Sequence, residues 1–83
     1  MKKVENINNR PNQFIIYDDN GSEYFQSYKS IIAKKHNGNI YLDSHYWDYS
    51  KTTSKYRNIF LGLDSKTIKK LIKDNHIILT NLN

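Results

Sequence analysis

SIIAKKHNGNIYLD, residues 30–43, reads as two short strands folded about a turn. Asn37-Gly38 is the pair that a two-residue hairpin loop favours, because both central residues take positive φ. Counting outward from that turn pairs Lys35 with Ile40, Lys34 with Tyr41 and Ala33 with Leu42. Ile31, Ala33, Ile40 and Leu42 then share one face, and Ile32, Lys34, Tyr41 and Asp43 share the other. Alternation of this kind describes an antiparallel sheet with one face packed and the other wetter.

Upstream, the same logic applies to FIIY, residues 14–17, and to the return from Glu23 to Tyr28, with DDNG between them. Read as a second two-residue turn, Asn20-Gly21 pairs Ile16 with Phe25 and Tyr17 with Tyr24, which places Phe14, Ile16 and Phe25 on one face. Residues 1–12 are polar and asparagine-rich and hold the only proline, Pro11. They read as a flexible arm ahead of a single domain over residues 13–83.

Downstream, the period changes. Tyr49, Thr52, Thr53, Tyr56, Ile59, Phe60 and Leu63 recur at three- and four-residue steps, which is helical. Asp48 or Ser50 can cap the start and Gly62 the end. Asp64-Ser65 offers a second cap, and Ile68, Leu71 and Ile72 form the apolar stripe of a short helix that Asn75-His76 ends. Ile77 to Thr80 reads as a last strand. The expected fold is α+β: an antiparallel sheet of two Asn-Gly hairpins plus a C-terminal strand, one face covered by two short helices. The expected core comprises Phe14, Ile16, Phe25, Ile31, Ala33, Ile40, Leu42, Tyr56, Ile59, Phe60, Ile68, Leu71 and Ile72.

The chain has 83 residues, enough for one domain with a thin core. Hydrophobic residues make up 37% and charged residues 25%, which suits a folded, soluble chain. There is no cysteine, so disulfides and thiolate zinc sites are excluded. The two lysines at the N-terminus have no apolar segment behind them, and no apolar run approaches membrane-spanning length. A soluble, cytoplasmic protein, away from any membrane, is expected.

Signals for catalysis are weak, and a non-enzymatic role is expected, with neither cofactor nor metal implied. His36, His45 and His76 fall in turns or loops without metal-ligand spacing. DDNGSE lacks the alternating ligands and distal glutamate of a calcium loop and coincides with a hairpin turn. Three glycines, Gly21, Gly38 and Gly62, make no phosphate loop.

Charge is the more informative property. The net charge is +5, yet residues 51–73 alone hold seven bases against Asp64. A basic C-terminal half attracts nucleic acid or an acidic protein surface; the alternative is a set of solvated helix faces. WDYSKTTSKYRNIFLG, residues 47–62, interleaves aromatic and basic residues as single-strand binders do. Most of its aromatics keep helical register with Ile59 and Leu63 and so belong to the core, but Trp47 precedes the helix and is open to either role, core anchor or stacking platform. The candidate contact set for nucleic acid or another partner is Lys55, Arg57, Lys66, Lys70 and Lys73, with Trp47.

FQSYKSIIAKK, IYLDSHYWDYSKTTSKYRNIFLG and IILTNLN, spread over residues 25–83, together resemble a family of small uncharacterised proteins from phages, plasmids and genomes of low-GC Gram-positive bacteria. The resemblance supplies no catalytic residues. It implies an accessory role in a mobile element: binding nucleic acid or a host nucleoprotein complex, or, alternatively, inhibiting a host defence system by protein–protein contact, in the manner of an anti-CRISPR. The first 24 residues lie outside it.

Overall fold

The structure, a computed structural model, describes residues 3–83. Eight regular elements follow one another: β1 (Lys3–Asn6), β2 (Gln13–Tyr17), β3 (Glu23–Ser27), β4 (Ser30–His36), β5 (Asn39–Asp43), α1 (Lys51–Leu61), α2 (Ser65–Lys73) and β6 (Ile77–Thr80), with a single 3-10 turn at Ile7–Asn9. The six strands form one sheet in chain order. Neighbours from β1 to β5 are antiparallel, whereas β6 lies parallel to β5. The fold is α+β, as the sequence implies. The parallel last pair follows from the two helices, which carry the chain back across the sheet before β6 begins.

The second hairpin has the expected register: Ala33 faces Leu42, Lys34 faces Tyr41 and Lys35 faces Ile40. Asn37 and Gly38 turn the chain at φ of 50° and 79°. The first hairpin differs by one residue. Ile15, not Ile16, faces Phe25, and Ile16 faces Tyr24. The cause is Asp18. Its Oδ1 accepts the backbone N–H groups of Asn20 (2.9 Å) and Ser22 (3.0 Å), so the loop closes on Asp18 and Ser22 rather than tightly around Asn20-Gly21. A one-residue slip exchanges the faces of a strand. Phe14 and Ile16 therefore leave the core and look out from the other side of the sheet.

That side is set by what the helices cover. Ser27 Oγ and Thr53 Oγ1 are 3.0 Å apart, and the rings of Phe25 and Phe60 stack at 5.9 Å between centroids. The face bearing Phe25, Ala33 and Leu42 is thus the packed one, and with Tyr56, Phe60, Ile68 and Ile77 these residues form the centre of the core. Between Phe25 and Gln26 the pairing skips Ile32, a bulge residue that is itself fully buried. The helix-free face carries one row across all six strands: Val4, Ile16, Tyr24, Lys34, Tyr41 and Ile78. Lys34 Nζ lies 5.4 Å from the Tyr24 ring centre and 5.7 Å from that of Tyr41. Ile59, expected in the core, is 46% exposed, because α1 points Thr53, Tyr56, Arg57 and Phe60 inward instead.

The flexible arm is also corrected. Met1 and Lys2 lie outside the described residues, but from Lys3 the segment is an edge strand on β2, and Ile7 is buried behind it. Asn8 and Asn9 take positive φ, which asparagine tolerates better than most residues, and the Asn6 side chain donates to Arg10 O at 2.7 Å. The asparagines thus turn the chain tightly enough for Ile7 to reach the core.

Asp43 joins these parts. Its carboxylate is 1% exposed and accepts the backbone N–H groups of His45 (3.1 Å), Tyr46 (2.9 Å) and Leu82 (2.8 Å). Burial presses its pKa upward, but donation from Leu82, Tyr46, Asn83 and His45 outweighs burial and holds the carboxyl below its ordinary value. Asp43→Asn replaces an acceptor-only group by one that also carries N–H donors. It should lower the unfolding free energy by about 2 kcal/mol in urea denaturation at pH 7. Because the folded pKa is depressed, this contribution is complete above the unfolded value of about 4 and fades as pH falls below it. The gap between wild type and Asp43→Asn should therefore narrow in acid. Gly38→Val should cost more than about 1 kcal/mol, since an added Cβ meets nothing within 4 Å but the backbone stays at φ 79°.

Candidate nucleic-acid interface

Both helices begin and end on residues suited to it. Ser50 Oγ accepts from Thr53 N (3.1 Å), and Gly62, at φ 69°, ends α1. Asp64 Oδ1 accepts from Thr67 N (2.7 Å); side-chain and backbone hydrogen bonds from Thr67 hold the Asp64 carboxyl below its ordinary pKa. Asn75, at φ 62°, stops α2. With its ends fixed, α2 turns Ile68 fully inward and leaves Lys66, Lys69, Lys70 and Lys73 exposed. At about 100° per residue, the four lysines span an arc of about 100°, centred opposite Ile68, Leu71 and Ile72. Lys70 and Lys73 occupy the last turn, where positive charge suits the helix dipole. Among the described residues, no salt bridge engages any of the four.

The candidates on and before α1 divide. Lys55 is exposed, its ammonium 5.5 Å from the Tyr56 ring centre, and lies on the β2 side of the helical layer, whereas α2 packs beside β6. Arg57 is no contact residue, a correction to the sequence reading. It is 0% exposed, and its guanidinium is spent on internal partners. Nη1 donates to Trp47 O (2.6 Å) and Asp48 Oδ1 (3.3 Å), Nη2 to Asn58 Oδ1 (3.0 Å) and Ser65 Oγ (3.1 Å), and Nε to Asn58 Oδ1 (3.2 Å). The Trp47 ring centre lies 5.4 Å from the guanidinium carbon. Trp47 is half-buried and packs against the core.

The structure also brings together residues that the sequence reading passed over. Arg10, Gln13 and Tyr28 meet Lys55 around a groove beside the start of α1. Arg10 falls within the polar segment whose sequence reads as an arm, and no periodic signal marks Gln13 or Tyr28. Among the described residues, no group of three or more His, Asp or Glu side chains is arranged to hold a metal ion, and no helix is long and apolar enough to cross a membrane. His36 Nδ1 instead lies 2.7 Å from Ser22 Oγ, bridging the two hairpins.

Arg57 should behave as a structural residue. Arg57→Lys keeps the charge but loses the planar fork, leaving Asn58 Oδ1 without its donors and Ser65 Oγ with Asn58 Nδ2 alone. A loss of about 2 kcal/mol in chemical denaturation is expected, with unchanged nucleic-acid affinity per folded molecule.

No curated protein and no solved structure matches the chain. A family model does match, over residues 2–76. That span takes in the edge strand, both hairpins and both helices, reaching well beyond the start of the resemblance read from residues 25–83. The chain is therefore a member of the family of unknown function DUF8033.

Proposed function

We propose that this is a non-enzymatic nucleic-acid-binding protein that uses the lysine face of α2. One observation carries the reading: Lys66, Lys69, Lys70 and Lys73 are gathered on a single exposed arc, opposite the apolar stripe and without ion-pair partners among the described residues. Ammonium groups in such a row match the repeated charge of a phosphate backbone, and they bind by displacing its counterions. Lys55 extends the surface at the far side of the helical layer. An accessory role in a bacterial mobile element, acting in the host cytoplasm on nucleic acid or a nucleoprotein complex, agrees with the composition and with the resemblance to phage and plasmid proteins.

A second reading is favoured by the helix-free face. Val4 and Ile78, at the two ends of its cross-strand row, are 57% and 48% exposed, with Tyr24 and Tyr41 between them. Apolar and aromatic side chains left uncovered on a sheet suit contact with another protein, as an inhibitor of a host defence complex requires.

Fluorescence anisotropy with mixed DNA and RNA across a salt series tests the first reading. Binding should weaken steeply with salt, and Lys66→Glu, Lys70→Glu and Lys73→Glu together should abolish it at moderate salt. Any residual binding at low salt should show a slope of log affinity against log salt smaller by roughly 2 to 3. The fold should persist, because the replaced side chains face water. A wild-type protein that binds neither nucleic acid at low salt ends this reading and leaves the protein-contact one.

A further inference from the structure

The groove between the segment before β2 and the start of α1 shares only Lys55 with the nucleic-acid surface proposed above and none of the α2 lysines. Its volume is about 360 Å³, within the range of small-molecule sites, and Arg10, Gln13, Tyr28, Thr52, Lys55 and Tyr56 line it. Three features set it apart from an ordinary surface furrow. Arg10 and Lys55 place two exposed cations on its wall, and no salt bridge engages either among the described residues. Gln13 is 3% exposed, and its Oε1 is buried with no hydrogen-bond partner. A buried acceptor left unpaired is costly and calls for a donor. Tyr28 is 52% exposed and sits at φ 56°. Tyr28 is the first of the two loop residues between β3 and β4, a position where the turn asks for positive φ and suits Gly or Asn, so an aromatic ring there carries a strain that the turn alone does not call for. Gln26 Nε2 donates to Tyr28 O at 2.8 Å, and Tyr28 N donates to Asn12 O at 2.8 Å, so the strained residue is held from both sides.

We propose that this groove binds a nucleoside monophosphate unit, free or as part of a single strand. The phosphate meets Arg10 and Lys55, the base stacks on Tyr28, and a hydroxyl or amino group of the ligand donates to Gln13 Oε1. Each part answers one feature: the two exposed cations attract an anion, the exposed ring offers a face to stack on, and the orphaned carbonyl calls for a donor. The site stands whether or not the lysine face of α2 holds nucleic acid.

Isothermal titration of the full chain with 5′-AMP, adenosine and inorganic phosphate tests this. AMP should bind at least tenfold more tightly than either fragment. Tyr28→Gly should weaken AMP at least tenfold while leaving the melting temperature unchanged or raised, because glycine accepts this φ without strain. Combined Arg10→Gln and Lys55→Gln should reduce AMP binding to the level of adenosine. The variant with Lys66, Lys70 and Lys73 changed to glutamate should bind AMP as the wild type does, which separates this site from the α2 surface. In that variant, competition by a short oligodeoxyadenylate identifies a strand as the ligand, and its absence identifies the free nucleotide. AMP binding no tighter than phosphate, or full AMP affinity in Tyr28→Gly, overturns the proposal.

Discussion

A buried carboxylate with backbone partners fixes how this chain closes. Asp43 stands at the end of β5, where the chain leaves the sheet for the helices, and it gathers N–H groups from the outgoing loop and from the returning C-terminal segment. Ser44 N donates to Thr80 O in the same place. The direction in which the loop departs and the position at which β6 arrives are thus set by one side chain. Beyond β6, the Asn83 amide donates to Ile31 O and accepts from Ile31 N, so the last residue is tied to the start of β4. A sheet whose final pair is parallel has no tight turn to set its register. Here hydrogen bonds at the strand ends supply that constraint.

Two cations perform similar work inside the helical layer. Arg57 links the loop after β5, helix α1 and the first residue of α2, and satisfies carbonyl and hydroxyl groups that a small core would otherwise strand. Lys35 reaches from β4 to Phe60 O at 3.0 Å, with its ammonium 4.4 Å from the Phe60 ring centre. It closes the C-terminal end of α1 from below, where the helix dipole favours positive charge. In a domain with so few aliphatic residues, long basic side chains do double duty as packing and as hydrogen-bond donors. The basic surface is consequently narrower than the formal charge suggests, and it is concentrated on α2.

How much could be read in advance depended on whether a signal was local. Asn37-Gly38 fixed the register of β4 and β5 because nothing nearby competes with the turn. Asn20-Gly21 misled because Asp18 precedes it, and a carboxylate able to take two backbone N–H groups reshapes the loop. That difference moved Phe14 and Ile16 from core to open face. The helices, their caps and the C-terminal strand were legible from period and capping residues. Strand β1 was not, since Lys-Val-Glu-Asn is short and polar and becomes a strand only because the edge of β2 is available. For the candidate site, Lys66, Lys70 and Lys73 followed from helical spacing. Arg57 was misassigned by its charge, although its spacing from Thr53 and Phe60 already placed it on the buried face. The groove around Gln13 and Tyr28 depends on a tertiary meeting of distant segments, which no window of sequence displays.

The order of the strands has a kinetic consequence. Each strand from β1 to β5 pairs with its immediate successor, so the first five can assemble by short loop closures alone. Only the pairing of Ile40 with Ile77 and its neighbours spans both helices. Closing so long a segment carries an entropic cost that short turns do not, and non-local contacts slow folding. The meander and α1 therefore form the natural nucleus, and the docking of β6 with the Asp43 and Asn83 contacts is the late event. On a ribosome, the same order lets most of the sheet form before the final strand has left the exit tunnel.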